Sequence, residues 1–271
     1  MPSRDAPTPG PQPSGEIARH EATPALADAF DRAWRHAGGD RLAREALQGI
    51  LALFFDLDAW SPWLGEARAL LDTDELGRVG RKRRARDGDE LALGYGLHRL
   101  VLGRVLGRAA RDVPLGRDRL GRPCLRGDEW QTSLSHAGGA VAVAVSGRGV
   151  VGVDLEAAAR AAQMEEIAGR VLHPGEHAAV AGLPEPARAR ELLALWVRKE
   201  ALLKAAGIGL AREMDSFRAP DGEPVALPAM DGPDGAGAVV RMLDAGPGWV
   251  AAVAGLPGLR AVANWLPPPR D

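Results

Sequence analysis

Asp154 and Glu156 stand two residues apart in the apolar run Val150-Val151-Gly152-Val153-Asp154-Leu155-Glu156. A short apolar run of this kind reads as a strand, and side chains two apart on a strand point the same way, about 6–7 Å apart. Two carboxylates on one face of an apolar strand lose hydration and repel each other, so a cation is needed to neutralise them. Hard oxygen donors favour Mg²⁺, Mn²⁺ or Ca²⁺ over zinc. The competing reading ends the strand at Asp154 and leaves Glu156 in water. A third carboxylate, Glu200, lies in a helical pattern and shares a face with Lys204, four residues on. Alone, that pair would be a surface salt bridge worth about 0.3–0.5 kcal/mol.

Ser135-His136 invites comparison with a hydrolase pair, but neighbours on a strand face opposite ways and cannot readily form a nucleophile–base dyad. The chain also has no Gly-x-Ser-x-Gly elbow. Arg78, Arg81, Lys82, Arg83, Arg84 and Arg86 form a basic cluster. It is either a solvated face or the footprint of a polyanion. The net charge of −2 and the lack of any zinc-finger, RNA-recognition or KH signature argue against nucleic acid. A compact polyanionic ligand suits a local patch on a nearly neutral protein better.

These residues need elements to hold them. Periodicity predicts an amphipathic helix over 28–47, a buried strand over 50–55, a loop with a short helix and a Trp60/Trp63 cluster over 56–71, and a long helix over 91–110. Turn chemistry at Gly121-Arg122-Pro123 precedes a short extended segment. Strands are expected over 140–145 and 150–155, joined as a hairpin through Gly147 and Gly149. A helix over 165–172 should stop near Pro174, and one over 187–206 should close at Gly207 and Gly209. Strands over 238–243, 249–255 and 259–265 end the pattern. Helices and strands do not alternate strictly, which predicts an α+β fold built from two similar halves.

The 271 residues are 46% hydrophobic and 26% charged, ordinary for a globular protein. Residues 1–24 are polar and Pro-rich and read as a disordered leader. The expected division is an N-terminal half over 25–150, a C-terminal half over 151–266 carrying the metal and catalytic residues, and a tail over 267–271. One cysteine, Cys124, excludes an internal disulfide and fits a reducing compartment. No apolar run is long enough to span a bilayer and no signal peptide is visible, so a cytoplasmic protein without membrane contact is expected.

Gly152-Val153-Asp154-Leu155-Glu156, then Trp196-x-x-Lys199-Glu200-Ala201-x-x-Lys204-Ala205-x-Gly207, resembles the paired signature of the 4′-phosphopantetheinyl transferases. Gly121-Arg122-Pro123, Ser133-Leu134-Ser135-His136, Gly209-Leu210 and Asp215-Ser216-Phe217 resemble further motifs of that family, in the right order. The length and two-half layout look like the larger, monomeric, surfactin-synthetase-activating type. The resemblance implies two α+β halves about a pseudo-twofold axis, with coenzyme A in the cleft between them. It implies that Asp154, Glu156 and Glu200 bind Mg²⁺, with Mn²⁺ as the alternative. Lys204 would contact the pyrophosphate and Glu200 would act as base. Asp154, Ser135 and His136 would lie against coenzyme A, the last two at a phosphate. Arg122 would lie beside the adenine, where the family often has lysine, and Arg78 and Arg81 would meet the 3′-phosphate. The implied reaction moves phosphopantetheine from coenzyme A to a serine of an apo acyl or peptidyl carrier protein, releasing 3′,5′-ADP. Two rivals share some of these residues: another Mg²⁺-dependent phosphate enzyme, and a non-catalytic interaction protein.

Overall fold

The computed structural model describes residues 25–127, 129–209, 212–226 and 237–269. The expected leader over 1–24 and the last two residues of the expected tail lie outside them. The chain opens with two helices, α1 (Leu26–His36) and α2 (Gly39–Gln48). The sequence pattern reads as one helix there, but Gly38 adopts φ 81° and breaks it. Strand β1 (Ile50–Asp56) follows, then short helices α3 (Leu57–Trp60) and α4 (Leu64–Ala69). Helix α5 (Thr73–Gly80) is closed at its start by a capping box between Asp72 and Glu75. Helix α6 (Ala85–Leu106) begins six residues earlier than its apolar pattern suggests, so Arg86 is helical and Arg78 sits on α5.

The small strands β2 (Leu115–Arg117) and β3 (Pro123–Leu125) pair with each other. Next come β4 (Gln131–Ala137), β5 (Ala140–Ser146) and β6 (Val151–Ala157). A 3₁₀ stretch, Ala158–Ile167, leads into α7 (Ala168–Val171), so the helix expected over 165–172 is mostly 3₁₀. Pro174 both ends that region and opens α8 (Pro174–Ala181), where its fixed φ and missing N–H suit a first turn. Helix α9 (Ala187–Ala206) has the bounds its pattern predicts. The chain finishes with β7 (Pro224–Val225), β8 (Ala238–Leu243), β9 (Trp249–Gly255) and β10 (Ala261–Trp265).

The strands form two four-stranded sheets, ordered β10-β1-β5-β4 and β6-β9-β8-β7. The segments β1–α6–β4–β5 and β6–α9–β8–β9 repeat one topology, since β5 and β9 each lie between the other two strands of their segment. This is an α+β fold with a duplicated plan. Two expectations about pairing fail. Strands β5 and β6 are not a hairpin: β5 is already bonded to β1 and β4, while β6 pairs with β9 in the other sheet. The glycines at 147 and 149 turn the chain across the gap between sheets. The last strand, assigned by chain order to the second half, crosses back and pairs parallel with β1.

Side-chain alternation builds the layers. On β5, Val141, Val143 and Val145 pack under α1, α2 and α6, while Ala140, Ala142 and Ala144 meet the other sheet. On β6, Val151, Val153 and Leu155 fill that same inter-sheet layer. Gly152, Asp154 and Glu156 are thereby turned toward α9, whose Ala201, Leu202 and Ala205 cover the second sheet. Among the described residues, no helix is long and apolar enough to cross a membrane.

Candidate active site

Gly152 sets the geometry. A Cβ there would stand 2.0 Å from the Ala201 carbonyl oxygen and 2.4 Å from the Ala205 nitrogen. Only glycine lets the backbone of α9 come this close to β6. The approach carries Glu200 and Lys204, each next to a contacting alanine, to the carboxylates of β6. Lys204 Nζ donates to Asp154 Oδ1 at 2.6 Å and to Ser135 Oγ at 2.9 Å. Ser135 Oγ in turn donates to Asp154 Oδ1 at 2.7 Å. The i,i+4 salt bridge between Glu200 and Lys204 that periodicity alone suggests is replaced by this pairing across elements.

Asp154 is 4% exposed, and its Oδ2 is buried without a hydrogen-bond partner. Glu156 is ion-paired with Arg160, which also lies over the Trp196 ring. Burial pushes the Glu156 carboxyl above its ordinary range, with Arg160 opposing and the Asp154 charge adding to the rise. Burial likewise raises Glu200, helped by the negative charges of Asp154 and Glu156 and opposed by Lys204. The three carboxylates therefore share one electrostatic neighbourhood. As the side chains stand, no three His, Cys, Asp or Glu groups among the described residues are arranged to hold a metal ion. Lys204 and Arg160 take up one oxygen each of Asp154 and Glu156. An orphaned oxygen on a buried aspartate, with two carboxyls whose charge is held off by burial and repulsion, is a donor set suited to a hard divalent cation.

Strands β4 and β6 meet at the seam of the two sheets. Ser133 Oγ accepts from the Val153 N–H at 3.1 Å, and Ser135 Oγ from the Leu155 N–H at 3.4 Å. The Ser-x-Ser spacing matches the strand period, so two hydroxyls satisfy edge N–H groups that a neighbouring strand would otherwise take. The sequence reading gave Ser133 no role.

A cleft of about 320 Å³ opens beside this cluster, lined by Ser133, His136, Tyr95, Arg117, Arg122 and Lys204 among others. Arg122 reaches the end of α9, where Nη1 lies 3.4 Å from the Ala205 carbonyl oxygen. Gly207, in a left-handed C-cap with φ 67°, makes room: a Cβ there would sit 2.8 Å from the guanidinium carbon of Arg122. Asp118 aims that guanidinium, accepting from the Arg122 backbone N–H at 3.0 Å and from Nε at 3.1 Å. His136 Nε2 faces Glu90 Oε2 at 3.2 Å. Burial pushes the imidazole pKa down, and the Glu90 charge pushes it back up. Arg78 reaches the same lip, with Nη2 3.5 Å from where a Gly121 Cβ would be. Arg81 instead lies back along α5 toward Gly77. Asp118 and Glu90 were missed in the sequence because an isolated acid carries no signal of its partner. Asp118 had one weak cue, its place in a turn four residues before Arg122.

Residues 150–232 match the model of the 4′-phosphopantetheinyl transferase superfamily. The chain is 31% identical over 161 residues to the 4′-phosphopantetheinyl transferase HetI of Nostoc sp., a match covering 58% of this chain and 68% of that protein. It is 27% identical over 153 residues to slr0495 of Synechocystis sp., provisionally given the same enzyme name, covering 55% and 62% of the two chains. The chain belongs to the 4′-phosphopantetheinyl transferase superfamily, enzymes that load phosphopantetheine onto carrier proteins.

Proposed function

We propose that the chain transfers 4′-phosphopantetheine from coenzyme A to a serine of an apo acyl or peptidyl carrier protein, with Mg²⁺ as cofactor and 3′,5′-ADP as the second product. The observation that carries this reading is the Lys204–Asp154–Ser135 triangle at the mouth of a cationic cleft, with one oxygen of Asp154 left without a partner. Coenzyme A is a phosphate-rich, elongated ligand; Arg122, Arg78 and Lys204 give the cleft the charge to hold it, and His136 adds an imidazole at its wall. Asp154, Glu156 and Glu200 would hold the divalent cation, which neutralises charge on the pyrophosphate oxygens when bound. Mn²⁺ meets the same oxygen-donor requirement.

Phosphoryl-type transfer depends on positioning and charge stabilisation more than on covalent help. The carrier serine oxygen forms a bond to the β-phosphorus. The bond from that phosphorus to the bridging oxygen breaks, and its electron pair leaves with 3′,5′-ADP. Lys204 can turn from Asp154 to a phosphate oxygen as that charge develops. Glu200 accepts the serine proton, directly or through water, and a carboxyl whose pKa is raised is the better base. Metal ligation would lower that basicity, so Glu200 must balance two demands. The same reading takes the chain as a cytoplasmic monomer of the surfactin-synthetase-activating type, divided at 150/151, with Ser135 as a phosphate contact and Arg81 reaching the 3′-phosphate by a change of rotamer.

The test mixes the protein with coenzyme A, Mg²⁺ and an apo carrier, and reads the intact mass of the carrier. One phosphopantetheine per carrier is expected. Asp154→Ala should abolish the gain and should also remove the heat of Mg²⁺ binding in a calorimetric titration. Full transfer by Asp154→Ala would overturn the metal assignment. Release of 3′,5′-ADP without any carrier would point to a hydrolase instead.

A further inference from the structure

Glu90 sits on the second turn of α6, six residues into the helix, with its side chain only 16% exposed. It makes two charged contacts. Oε1 accepts from Arg86 Nε at 2.8 Å, one turn back on the same helix. Oε2 faces His136 Nε2 at 3.2 Å, across to β4. No catalytic or binding role for Glu90 follows from the motifs in the sequence.

We propose that Glu90 is a positioning residue for coenzyme A: it holds Nε2 of His136 and so fixes the ring with Nδ1 turned to meet a phosphate of the bound substrate. The inference rests on reading the cleft as the coenzyme A site.

The chemistry follows from the two ring nitrogens. A carboxylate at Nε2 settles which nitrogen is held by the protein and leaves Nδ1 for a ligand. Among the described residues, no hydrogen bond falls on Nδ1 of His136, and the residue is exposed. Burial works against a charge on this ring, and so does Lys82 in the link between α5 and α6; Glu90 and, more weakly, Asp87 on α6 work for it. Arg122 and Lys204 face the same cleft and add positive charge. Burial outweighs Glu90 in the free protein and holds the ring's pKa below its ordinary value, so the negative charge of a bound phosphate must join that of Glu90 to favour the second proton. A neutral imidazole has one N–H; an imidazolium has two, and its bond to phosphate is charge-assisted. The second contact, with Arg86 one turn back on α6, restrains the other carboxylate oxygen and so holds the Glu90 side chain in place.

The experiment is calorimetric binding of coenzyme A, with Mg²⁺ present, to the full chain and to Glu90→Gln, His136→Ala and the double variant. Glu90→Gln should bind roughly tenfold more weakly, the factor expected for loss of a charged hydrogen bond. Its kcat at saturating coenzyme A should stay within about twofold, so the loss falls on KM. The double variant should bind no more weakly than His136→Ala alone, because Glu90 acts through His136. Glu90→Asp, which keeps the charge but shortens the reach, should fall between wild type and Glu90→Gln, and it serves as the second variant should Glu90→Gln misfold. Wild-type affinity in Glu90→Gln, or the full tenfold loss repeated in the His136→Ala background, would overturn the proposal. Failure of the unaltered protein to bind coenzyme A at all would instead overturn the reading of the cleft.

Discussion

Two lysines lie five residues apart on α9 and live in opposite circumstances. Lys199 is 0% exposed, and its Nζ stands within hydrogen-bond distance of Val171 O (2.7 Å), Glu176 Oε2 (2.7 Å), Met214 O (2.9 Å) and Phe217 O (2.8 Å). Three ammonium protons serve four oxygens, so nothing on this group is left for a ligand. Glu176 is equally occupied, accepting also from the backbone N–H groups of His173 and Ala219. Lys204 has one carboxylate and one hydroxyl, and it borders a cleft. Its partner Asp154 keeps a free oxygen. A saturated buried ion pair holds backbone segments together; an unsaturated one at a cleft can exchange partners. The difference between structure and chemistry on this helix is one of coordination, since both residues belong to the same motif and carry the same charge.

The strongest way to break this comparison is to truncate each lysine. Lys199→Ala should destabilise the fold by about 3–5 kcal/mol, since it strands Glu176 and three carbonyls in the interior. Urea denaturation would measure it, and a loss below about 1 kcal/mol would refute the role of Lys199 as a hub. Replacing both partners, Lys199→Met with Glu176→Leu, should recover part of that loss, because an apolar pair leaves no buried charge unpaired. Lys204→Ala should do the opposite. Transfer should fall by about 10²–10³, while stability drops by less than in Lys199→Ala, because the Lys204 side chain is 27% exposed at the cleft and its removal opens a path for water to Asp154.

Gly152→Ala comes next, as it acts on both regions through the spacing of β6 and α9. The added methyl would meet backbone atoms at 2.0 and 2.4 Å, which cannot yield as a side chain can. A cost of about 1–3 kcal/mol is expected from overpacking, with a fall in transfer as Lys204 moves from Asp154. Unaltered kcat in a destabilised Gly152→Ala would show that the approach of α9 matters for packing alone.

How much of this was legible beforehand varies with the range of the interaction. Local periodicity places β1, β5, β6, β8, β9 and α9 close to their observed bounds, and the two-residue spacing of Asp154 and Glu156 does turn both toward α9. What a strand pairs with is a different matter. Gly147 and Gly149 show that the chain turns, but not that β5 already has both edges filled and must release β6 to another sheet. The return of β10 to β1 is equally non-local. Lys199 sits in the most recognisable motif of the chain, yet its acceptors come from positions 171, 176, 214 and 217, which no spacing rule gathers. Asp118 and Glu90 are hidden for the same reason: each acts only through the cation it meets.

The smallest expected effect sharpens the comparison on the facing strand. Ser133 and Ser135 lie two apart on β4 and do the same backbone work, each accepting from an N–H of β6. Only Ser135 also touches Lys204 and Asp154. Ser133→Ala leaves the Val153 N–H without its acceptor in a position that is 2% exposed on the serine side. A loss of about 1 kcal/mol is expected, with transfer changed by less than about threefold. Ser135→Ala should cost a similar amount of stability and in addition lower transfer by roughly tenfold, since one hydrogen bond that orients the Lys204–Asp154 pair disappears. Urea midpoints and kcat for the two variants decide the matter. Equal losses of transfer would mean that the seam between the sheets, rather than the charge cluster, governs turnover.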